Sequence, residues 1–489
     1  MLVNQLIFRG KGDKIALREK GATYSYSQLQ ARTNHFRNYL YARGVREKDN
    51  IALFAKNSAD FIFSYMAVVS LGGVVVPLNT MLTSREISFI LKDSRVKHMI
   101  TDKTLDLSGQ YQDSQVPPAQ FLTTQISREL NHSTYPAAPG VAIQDSDPCA
   151  ILYTSGTTGR PKGALLSHGN LLMNSRSFSE ATGSGADDNF LCVLPMFHSL
   201  AWTCIVLTAL YKGASLTILE SFLPKEVIAT IRDQGVTTVI GVPAMYGFYA
   251  SLARPEDLAG VRIFISGGAS LPLEIINSFY EKTGKPVIEG YGLSEASPAV
   301  CFNPMHATKP GSVGLPLPGV EVKIAKPDGS EADCREVGEL ITRGPNVMLG
   351  YYGLPVESAK ALRNGWLYTG DLAYIDEEGY IFIVDRKKDL VIVSGLNVYP
   401  REVEEVLYQY PAVKEAAVIG MPDKKRGEIV RAFVVVKEGM KLNKKDLIIF
   451  LKTNLASYKL PREIMEIDSL PKNATGKILK KELREIQPR

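Results

Sequence analysis

Residues 153–163 read Tyr-Thr-Ser-Gly-Thr-Thr-Gly-Arg-Pro-Lys-Gly and follow an apolar run, residues 149–152, that is typical of a strand end. Three glycines let the backbone bend sharply and approach a ligand closely. Hydroxyl side chains, free backbone N–H groups and two cations, Arg160 and Lys162, form a cradle for phosphate oxygens. The stretch is not a Walker loop, because Pro161 interrupts that pattern. Its composition alone also fits a flexible surface loop, but its residue order is more specific.

The length of the chain, 489 residues, predicts two or more domains. Its net charge of +5 is mild and does not favour nucleic-acid binding. The charge is uneven: residues 386–489 carry 22 Lys and Arg against 14 Asp and Glu, whereas the remainder has a net charge of −3. A basic C-terminal part suits a polyanionic ligand, although a solvated surface explains the charge equally well.

Cysteine usage and hydropathy bear on the compartment. The five cysteines are odd in number and widely spaced, without a CxxC pattern, so we expect neither a disulfide framework nor a zinc site, and a reducing cytoplasm. The N-terminus lacks the basic region and cleavage site of a signal peptide. Residues 191–211 are mostly apolar but contain Pro195 and His198, which favours a buried strand and core helix over a membrane span.

Short apolar strands alternate with amphipathic helices along the first 300 residues, which predicts parallel α/β layers. We expect Ser27 to cap the first helix, a second helix over 58–69, and a loop-rich connection over 105–147. The C-terminal end of each later strand is followed by Gly, Pro or Ser, where open sheets place ligands. The predicted strands are residues 15–18, 22–26, 50–54, 72–79, 190–194, 216–219, 238–241, 262–266 and 286–290.

From residue 311 the pattern changes to short alternating strands, which indicates a small β subdomain ending near residue 385. The charge run at 385–389 is typical of a domain linker, and about 100 residues of mixed helix and strand follow it. The sequence therefore predicts an α/β fold. A large N-terminal domain, residues 1–385, combines layered α/β subdomains with a small β subdomain, and a small mobile α+β domain, residues 386–489, follows.

Several motifs occur together with the 153–163 loop. Residues 289–295 read Glu-Gly-Tyr-Gly-Leu-Ser-Glu, residues 368–372 read Tyr-Thr-Gly-Asp-Leu, and residues 471–478 read Pro-Lys-Asn-Ala-Thr-Gly-Lys-Ile. Alone, the first two are more typical of a turn than of a binding site, and the third also fits a flexible surface tail. Together and in this order, over nearly the whole chain, they resemble the adenylate-forming superfamily of acyl-CoA synthetases, peptide-synthetase adenylation domains and luciferase. The wording is closest to fatty acyl-CoA ligases.

The resemblance implies a site for ATP and Mg²⁺. Tyr291 provides an aromatic face for adenine, Asp371 accepts hydrogen bonds from the ribose hydroxyls, and Arg386 is a second ribose contact. Glu295 and Thr154 are the implied Mg²⁺ ligands, since hard oxygens suit a metal that also grips phosphates. The implied nucleotide contacts are Thr154, Ser155, Gly156, Thr157, Thr158, Gly159, Lys162, Gly268, Ala269, Ser270, Glu289, Gly290, Tyr291, Gly292, Ser294, Asp371 and Arg386.

The resemblance also implies that Lys477 is the catalytic lysine, Lys388 the hinge, and Ser394, Gly395 and Leu396 the CoA-facing loop. A mobile ammonium is suited to a reaction in which a carboxylate attacks the α-phosphorus of ATP and negative charge accumulates. Leu396 stands where relatives often have Gly or Glu, which leaves the details of CoA contact open.

The acyl group is implied to lie beside His198, a second catalytic candidate, in a position where amino-acid-activating relatives carry an acidic residue. His198 therefore argues against an amino-acid substrate. The acyl-pocket candidates, each of which also fits ordinary core packing, are Trp202, Val242, Met245, Gly267, Ala299 and Val300.

We therefore expect an ATP-, Mg²⁺- and CoA-dependent ligase that activates a medium- or long-chain fatty acid through an acyl-AMP. An aromatic or carbocyclic acid, and a carrier-protein thiol instead of CoA, are the open alternatives, with a non-catalytic binding protein as the third. The resemblance leaves a homodimer and peripheral membrane contact open, and a cytoplasmic location is expected.

Overall fold

A computed structural model describes residues 1–111, 116–130, 135–154, 160–473 and 476–486. Its strands are β1 (Ile15–Glu19), β2 (Ala22–Ser25), β3 (Asn50–Phe54), β4 (Val74–Pro77), β5 (His98–Thr101), β6 (Ala119–Leu122), β7 (Pro148–Thr154), β8 (Lys162–Ser167), β9 (Asn189–Cys192), β10 (Ser215–Ile218), β11 (Thr238–Gly241), β12 (Ile263–Ser266), β13 (Val287–Gly292), β14 (Ala299–Phe302), β15 (Leu315–Pro316), β16 (Glu321–Ala325), β17 (Gly338–Arg343), β18 (Gly350–Tyr351), β19 (Leu362–Arg363), β20 (Trp366–Ile375), β21 (Ile381–Arg386), β22 (Val391–Val393), β23 (Leu396–Val398), β24 (Val413–Asp423), β25 (Gly427–Val436) and β26 (Glu463–Glu466).

The helices alternate with these strands along the chain. They are α1 (Tyr26–Ala42), α2 (Ala59–Ser70), α3 (Ser84–Asp93), α4 (Thr123–Glu129), α5 (His168–Ala181), α6 (Thr208–Lys212), α7 (Pro224–Asp233), α8 (Pro243–Leu252), α9 (Leu273–Thr283), α10 (Pro355–Ala361), α11 (Pro400–Tyr408), α12 (Lys444–Asn454) and α13 (Lys480–Leu483). A buried π-helical segment, Leu200–Leu207, runs directly into α6. Short 3₁₀ turns include Ser294–Ala296 and Lys387–Asp389.

Two large sheets form the N-terminal domain. The first has the order β15-β14-β13-β12-β11-β9-β10-β1-β2, and the second β18-β8-β7-β4-β3-β5-β6. The central strands of both run parallel. Antiparallel strands lie at both edges of the first sheet and at one edge of the second, whose other edge is the parallel strand β6. A five-stranded antiparallel sheet, β16-β17-β20-β19 with β21 on β20, follows. This topology confirms the predicted α/β layering and small β subdomain.

The small C-terminal domain has its own sheet, β23-β22-β25-β24, with β26 beside β25. The helices α11 and α12 cover one face of this sheet, where Val403, Leu407, Leu447 and Leu451 pack with buried valines. A second, smaller cluster that includes Phe433, Leu470 and Leu483 also lies in the C-terminal domain, and the N-terminal domain has a large core and a smaller one of its own. Separate buried clusters and separate sheets are consistent with the predicted two-domain fold.

One local expectation was wrong. Ser25, not Ser27, caps α1: its side chain accepts the Gln28 N–H at 3.2 Å, and the Gln28 side chain accepts the Ser25 N–H at 2.8 Å. Ser27 already lies inside the helix. The 105–147 connection is rich in loops, as expected, but it also contains β6, which pairs in parallel with β5, and α4.

The apolar stretch 191–211 is the end of β9 followed by the buried helical segment, as predicted. Within the described ranges, no helix is both long and apolar enough to span a bilayer. The described cysteines are all unpaired thiols, four of them buried and Cys334 exposed.

Candidate active site

The phosphate-cradle stretch is the connection of a β-hairpin. β7 ends at Thr154 and β8 begins at Lys162, and these two residues are paired across the ladder. Lys162 donates to Glu357 at 2.8 Å and lies 5.2 Å from the centre of the Tyr351 ring. The predicted contacts between the two strands lie outside the described residues: Ser155, Gly156, Thr157, Thr158 and Gly159.

The two predicted metal ligands lie together at the base of this hairpin. The Thr154 hydroxyl donates to Glu295 Oε1 at 3.3 Å, and the Tyr351 hydroxyl donates to the same oxygen at 3.0 Å. Burial, and next the Glu295 carboxylate, raise the pKa of Tyr351. No sequence motif indicates Tyr351 or Glu357. Glu357 lies 195 residues from Lys162 along the chain, and both residues meet the hairpin only in the fold.

Glu295 and Thr154 supply hard oxygens of the kind that Mg²⁺ prefers. Among the described residues, no group of three or more His, Cys, Asp and Glu side chains could hold a metal. Such a sparse protein donor set fits a cation that takes most of its ligands from substrate phosphates and water. When bound, Mg²⁺ would neutralise phosphate charge beside Lys162.

The predicted ribose contacts form a hydrogen-bonded group. Antiparallel pairing of β20 with β21 sets Asp371 opposite Arg386, whose Nε lies 3.3 Å from Asp371 Oδ1. The Tyr291 hydroxyl donates to Asp371 Oδ2 at 2.6 Å. Burial and the Asp371 carboxylate raise the pKa of Tyr291 well above its ordinary value. Tyr291 and Asp371 lie 80 residues apart along the chain and meet only in the fold. Together with Arg386 they form one surface, on which the Asp371 carboxylate has two partners.

The predicted adenine segment is a turn from β12 into α9 that contains Gly267, Gly268, Ala269 and Ser270. Gly268 has a φ of +80°, which favours glycine at that position. In the neighbouring strand β13, a Cβ at Gly292 would lie 2.1 Å from the carbonyl of Pro298. Glycine at 292 is thus required by strand packing, a reason that the sequence did not reveal.

Glu289 is 4% exposed and lies on β13 beside the adenine segment. Its Oε1 accepts the Leu271 N–H at 3.2 Å, and its Oε2 has no hydrogen-bond partner among the described residues. Burial raises the pKa of Glu289 to about 7. A cavity of about 260 Å³ opens beside it, lined by α9 and the 303–312 loop; none of the predicted metal or acyl residues lines this cavity.

His198 begins the segment that leads into the buried π-helical turn. Burial, and next the Lys477 ammonium, lower the pKa of His198 to about 4, so the ring is neutral near pH 7. Its Nδ1 accepts the Leu200 N–H at 3.3 Å, which leaves the ring proton on Nε2. The neutral imidazole can therefore donate a hydrogen bond to a carboxylate oxygen.

The predicted acyl residues divide into two groups. Val242 lies beside Gly268, because a Cβ placed on Gly268 would be 3.9 Å from Val242 Cγ1. Leu200, which the sequence analysis missed, lies against both Gly267 and Gly268. Trp202, by contrast, stacks on Tyr65 with ring centres 4.0 Å apart and belongs to the domain core. Met245 packs at Gly241, and Ala299 and Val300 are buried in β14.

Ser294, of the same motif as Glu295, has its hydroxyl 3.2 Å from that of Ser199. This contact joins the predicted metal motif to the segment that carries His198. The nucleotide and acyl sides of the site are therefore linked within the large domain.

Lys477 reaches this site from the small domain. Its N–H donates to Asn473 Oδ1 at 2.9 Å, and a Cβ on the preceding Gly476, whose φ is +76°, would lie 3.5 Å from Val242. Burial first, and then the Arg386 guanidinium, lower the pKa of Lys477 to about 8. Asp371, a weaker influence, acts in the opposite direction. The predicted catalytic lysine, ribose carboxylate and histidine thus lie in one region.

The remaining small-domain predictions lie in or next to turns. Lys388 is near Lys477, whose pKa is lowered by burial, by Arg386 and by Lys388. Lys388 is exposed in the 3₁₀ turn between β21 and β22. Ser394 and Gly395, with φ of 51° and 83°, form the two-residue turn between β22 and β23, and Leu396 is 48% exposed. The Ser394 N–H donates to the Arg426 carbonyl at 2.8 Å. This contact sets the loop beside a second hairpin tip, Lys424, Lys425 and Arg426, which the sequence analysis did not single out.

Comparison with known proteins adds family evidence. The AMP-binding enzyme family model matches residues 7–352, and the AMP-binding enzyme C-terminal domain model matches residues 402–477. A feruloyl-CoA synthase from Amycolatopsis sp is 36% identical over 96% of this chain and 95% of its own. A long-chain-fatty-acid–CoA ligase from Bacillus subtilis is 35% identical over 97% of this chain and 92% of its own.

Among solved structures, ATP-bound MatB from Rhodopseudomonas palustris matches with a TM-score of 0.92 at 32% identity, over 99% of both chains. The apo form of MatB, with the same coverage, gives 0.82. This chain therefore superposes better on the ATP-bound form than on the apo form. Enzymes of this kind use ATP, Mg²⁺ and CoA. The chain belongs to the AMP-binding enzyme family and is an AMP-forming acyl-CoA synthetase.

Proposed function

We propose that this enzyme activates a medium- or long-chain fatty acid. The observation that carries this is the apolar surface of Leu200 and Val242 against the glycine pair Gly267 and Gly268, on the side of the site where His198 lies. Leu and Val side chains have no group that could pair with a charged or strongly polar acyl substituent. The relative that acts on long-chain fatty acids supports the proposal.

An aromatic acid is the second candidate. The feruloyl-CoA synthase is as similar to this chain as the fatty-acid ligase is, and a flat ring also fits beside a pair of glycines. The acceptor in both cases is CoA. The exposed cations Lys424, Lys425 and Arg426 beside the 394–396 turn suit its phosphates. The Asp423 carboxylate accepts the backbone N–H groups of Lys425 and Arg426, and the side chains of the three cations form no ion pair in the described part of the chain.

In the proposed first step, the substrate carboxylate oxygen attacks the α-phosphorus of ATP and the bond to pyrophosphate breaks, which gives acyl-AMP. Asp371 and Arg386 hold the ribose, and the neutral His198 orients the carboxylate. The Lys477 ammonium balances the charge that develops on the bridging oxygens. Glu295 and Thr154 would hold Mg²⁺ on the phosphates.

In the second step, we propose that the small domain rotates about residues 385–389, near Lys388, withdraws Lys477 and presents the 394–396 turn. The CoA thiolate attacks the acyl carbonyl, the bond to AMP breaks, and AMP leaves. One cleft thereby serves first the departure of pyrophosphate and then the entry of a thiol. The boundary between domains 1–385 and 386–489 is part of this proposal, and a homodimer, peripheral membrane contact and a cytoplasmic location stay predictions.

The test is pyrophosphate release from the purified enzyme with ATP, Mg²⁺ and CoA. The acid series would contain saturated fatty acids of increasing chain length, ferulate, cinnamate and 2-succinylbenzoate. We expect kcat/KM to rise with the chain length of the fatty acid and to be higher for the longer fatty acids than for every ring acid. Higher kcat/KM for ferulate would establish the second candidate. Adenylate formation without thioester formation on free CoA would indicate a carrier-protein acceptor.

A further inference from the structure

Arg401 lies at the junction of the two domains, near the start of α11, with its side chain 14% exposed. Its Nη1 donates to the Ile383 carbonyl at 2.6 Å, and its backbone N–H donates to Asp385 Oδ2 at 2.9 Å. Both acceptors lie on β21, the last strand before the proposed hinge. One residue of the small domain is thus fastened twice to the large domain.

Two carboxylates face this guanidinium from opposite domains. Glu405, one turn along α11, has Oε1 3.9 Å from Arg401 Nε. The Arg401 guanidinium also acts on Glu289 of the large domain. Burial raises the pKa of Glu289, and the positive charge of Arg401 opposes that increase. The Glu289 Oε2 has no hydrogen-bond partner among the described residues. Arg401 therefore supplies the cation for a buried acid across the domain boundary.

The two carboxylates also share the N-terminus of α9. Glu289 accepts a hydrogen bond from the Leu271 N–H. Glu405 accepts one from the Leu273 N–H, which opposes the increase that burial causes in the pKa of Glu405. Without the guanidinium, buried Glu289 and partly exposed Glu405 would remain between the docked domains without the cation that offsets their charge, and the Glu405 carboxylate adds to the increase that burial causes in the pKa of Glu289. Docking of the small domain therefore depends on Arg401 in both hydrogen bonding and charge.

All these contacts form in the arrangement that places Lys477 beside His198 and Asp371. A rotation about residues 387–389 would carry α11 away from β21 and from α9. All of these contacts would then break at the same time. We propose that Arg401 is a positioning residue for adenylation, which holds the small domain in the arrangement that delivers Lys477. This inference depends on the two-arrangement reaction proposed above.

The test measures the two half-reactions of the full-length enzyme separately. Arg401→Ala should lower the single-turnover rate of acyl-AMP formation about tenfold or more, and leave thioester formation from supplied acyl-AMP and CoA within about twofold of wild type. Arg401→Lys, which keeps the charge but loses the fork of donors, should restore part of the adenylation rate. Arg401→Ala combined with Glu405→Gln should also recover part of it, because one repelling charge is gone.

The matched control is Arg462→Ala, an exposed arginine of the same domain, which should change neither rate. If Arg401→Ala reduces both half-reactions equally, or neither, the positioning role is wrong; if Arg401→Ala does not fold, the same criterion applies to Arg401→Lys. Lys477→Ala separates the two levels of proposal. A split between half-reactions for Lys477→Ala but not for Arg401 variants overturns only this inference, whereas no split for Lys477→Ala overturns the two-arrangement reaction itself.

Discussion

The two halves of the site differ in how their charges are balanced. In the large domain, the Asp371 carboxylate already has Tyr291 and Arg386 as partners at 2.6 and 3.3 Å. In the small domain, Lys477 has no ion pair among the described residues. Burial first, and then the cations Arg386 and Lys388, lower its pKa, while the carboxylates Asp371 and Asp389 act in the opposite direction. The ribose half is electrostatically complete without a ligand, whereas the lysine half is not.

This difference indicates a division of roles. A carboxylate held by two donors costs little to reorganise when a ribose arrives, so it suits binding. A buried ammonium among cations is unfavourable until anions neutralise it. The phosphates of ATP supply those anions. Nucleotide binding should therefore stabilise the arrangement in which Lys477 is docked, and that arrangement should in turn bind the nucleotide more tightly.

The largest expected effect comes from removing the unbalanced charge. Lys477→Ala should lower acyl-AMP formation by about 10²- to 10³-fold, the scale for loss of one preorganised electrostatic contact in a transition state. Thioester formation from supplied acyl-AMP should be nearly unchanged, because Lys477 is withdrawn in that step. Rapid-quench measurement of each half-reaction checks both statements. Equal losses in the two would remove the distinction between the halves.

A smaller effect is expected from the balanced half. Asp371→Asn keeps the shape but removes the charge that Arg386 and the ribose hydroxyls share, which corresponds to about 1.5–3 kcal/mol for a hydrogen bond to a charged group. We therefore expect kcat/KM for ATP to fall by roughly 10- to 100-fold, mainly through KM. In contrast to Lys477→Ala, both half-reactions should weaken, since AMP is bound in each. A loss confined to adenylation would contradict this prediction.

The smallest effect is a pH dependence. Burial and Arg386 lower the pKa of Lys477 to about 8, and the protonated ammonium is the active form. In adenylation, kcat/KM for ATP should therefore fall as the pH rises through about 8, up to tenfold per unit. Bound phosphates favour the charged form of Lys477 and so raise its pKa. The fall in kcat should therefore occur at a higher pH than the fall in kcat/KM. Lys477→Ala is the control and should lack this limb; its persistence would assign the titration to another group.

Local sequence pattern accounted for the elements that are regular along the chain. The capping box of α1 was recognised two residues late, and β6 was missed because its pairing with β5 is not local. The site residues that the sequence predicts stand mostly in contiguous motifs. Leu200, Tyr351, Glu357 and Arg401 were not predicted, because their importance comes from partners far along the chain.

Residue order along the chain was enough to predict the family motifs, the α/β layering, and which residues could supply phosphate-binding, carboxylate and ammonium chemistry, since backbone freedom and side-chain charge are properties of short segments. Which of these groups meet depends on the tertiary fold. The fold pairs Asp371 with Arg386 through strand register, packs Trp202 against Tyr65 in the core, and buries Lys477 near the Arg386 guanidinium. Hydrogen bonding and desolvation act over a few ångströms in space, and separation along the chain does not specify that distance.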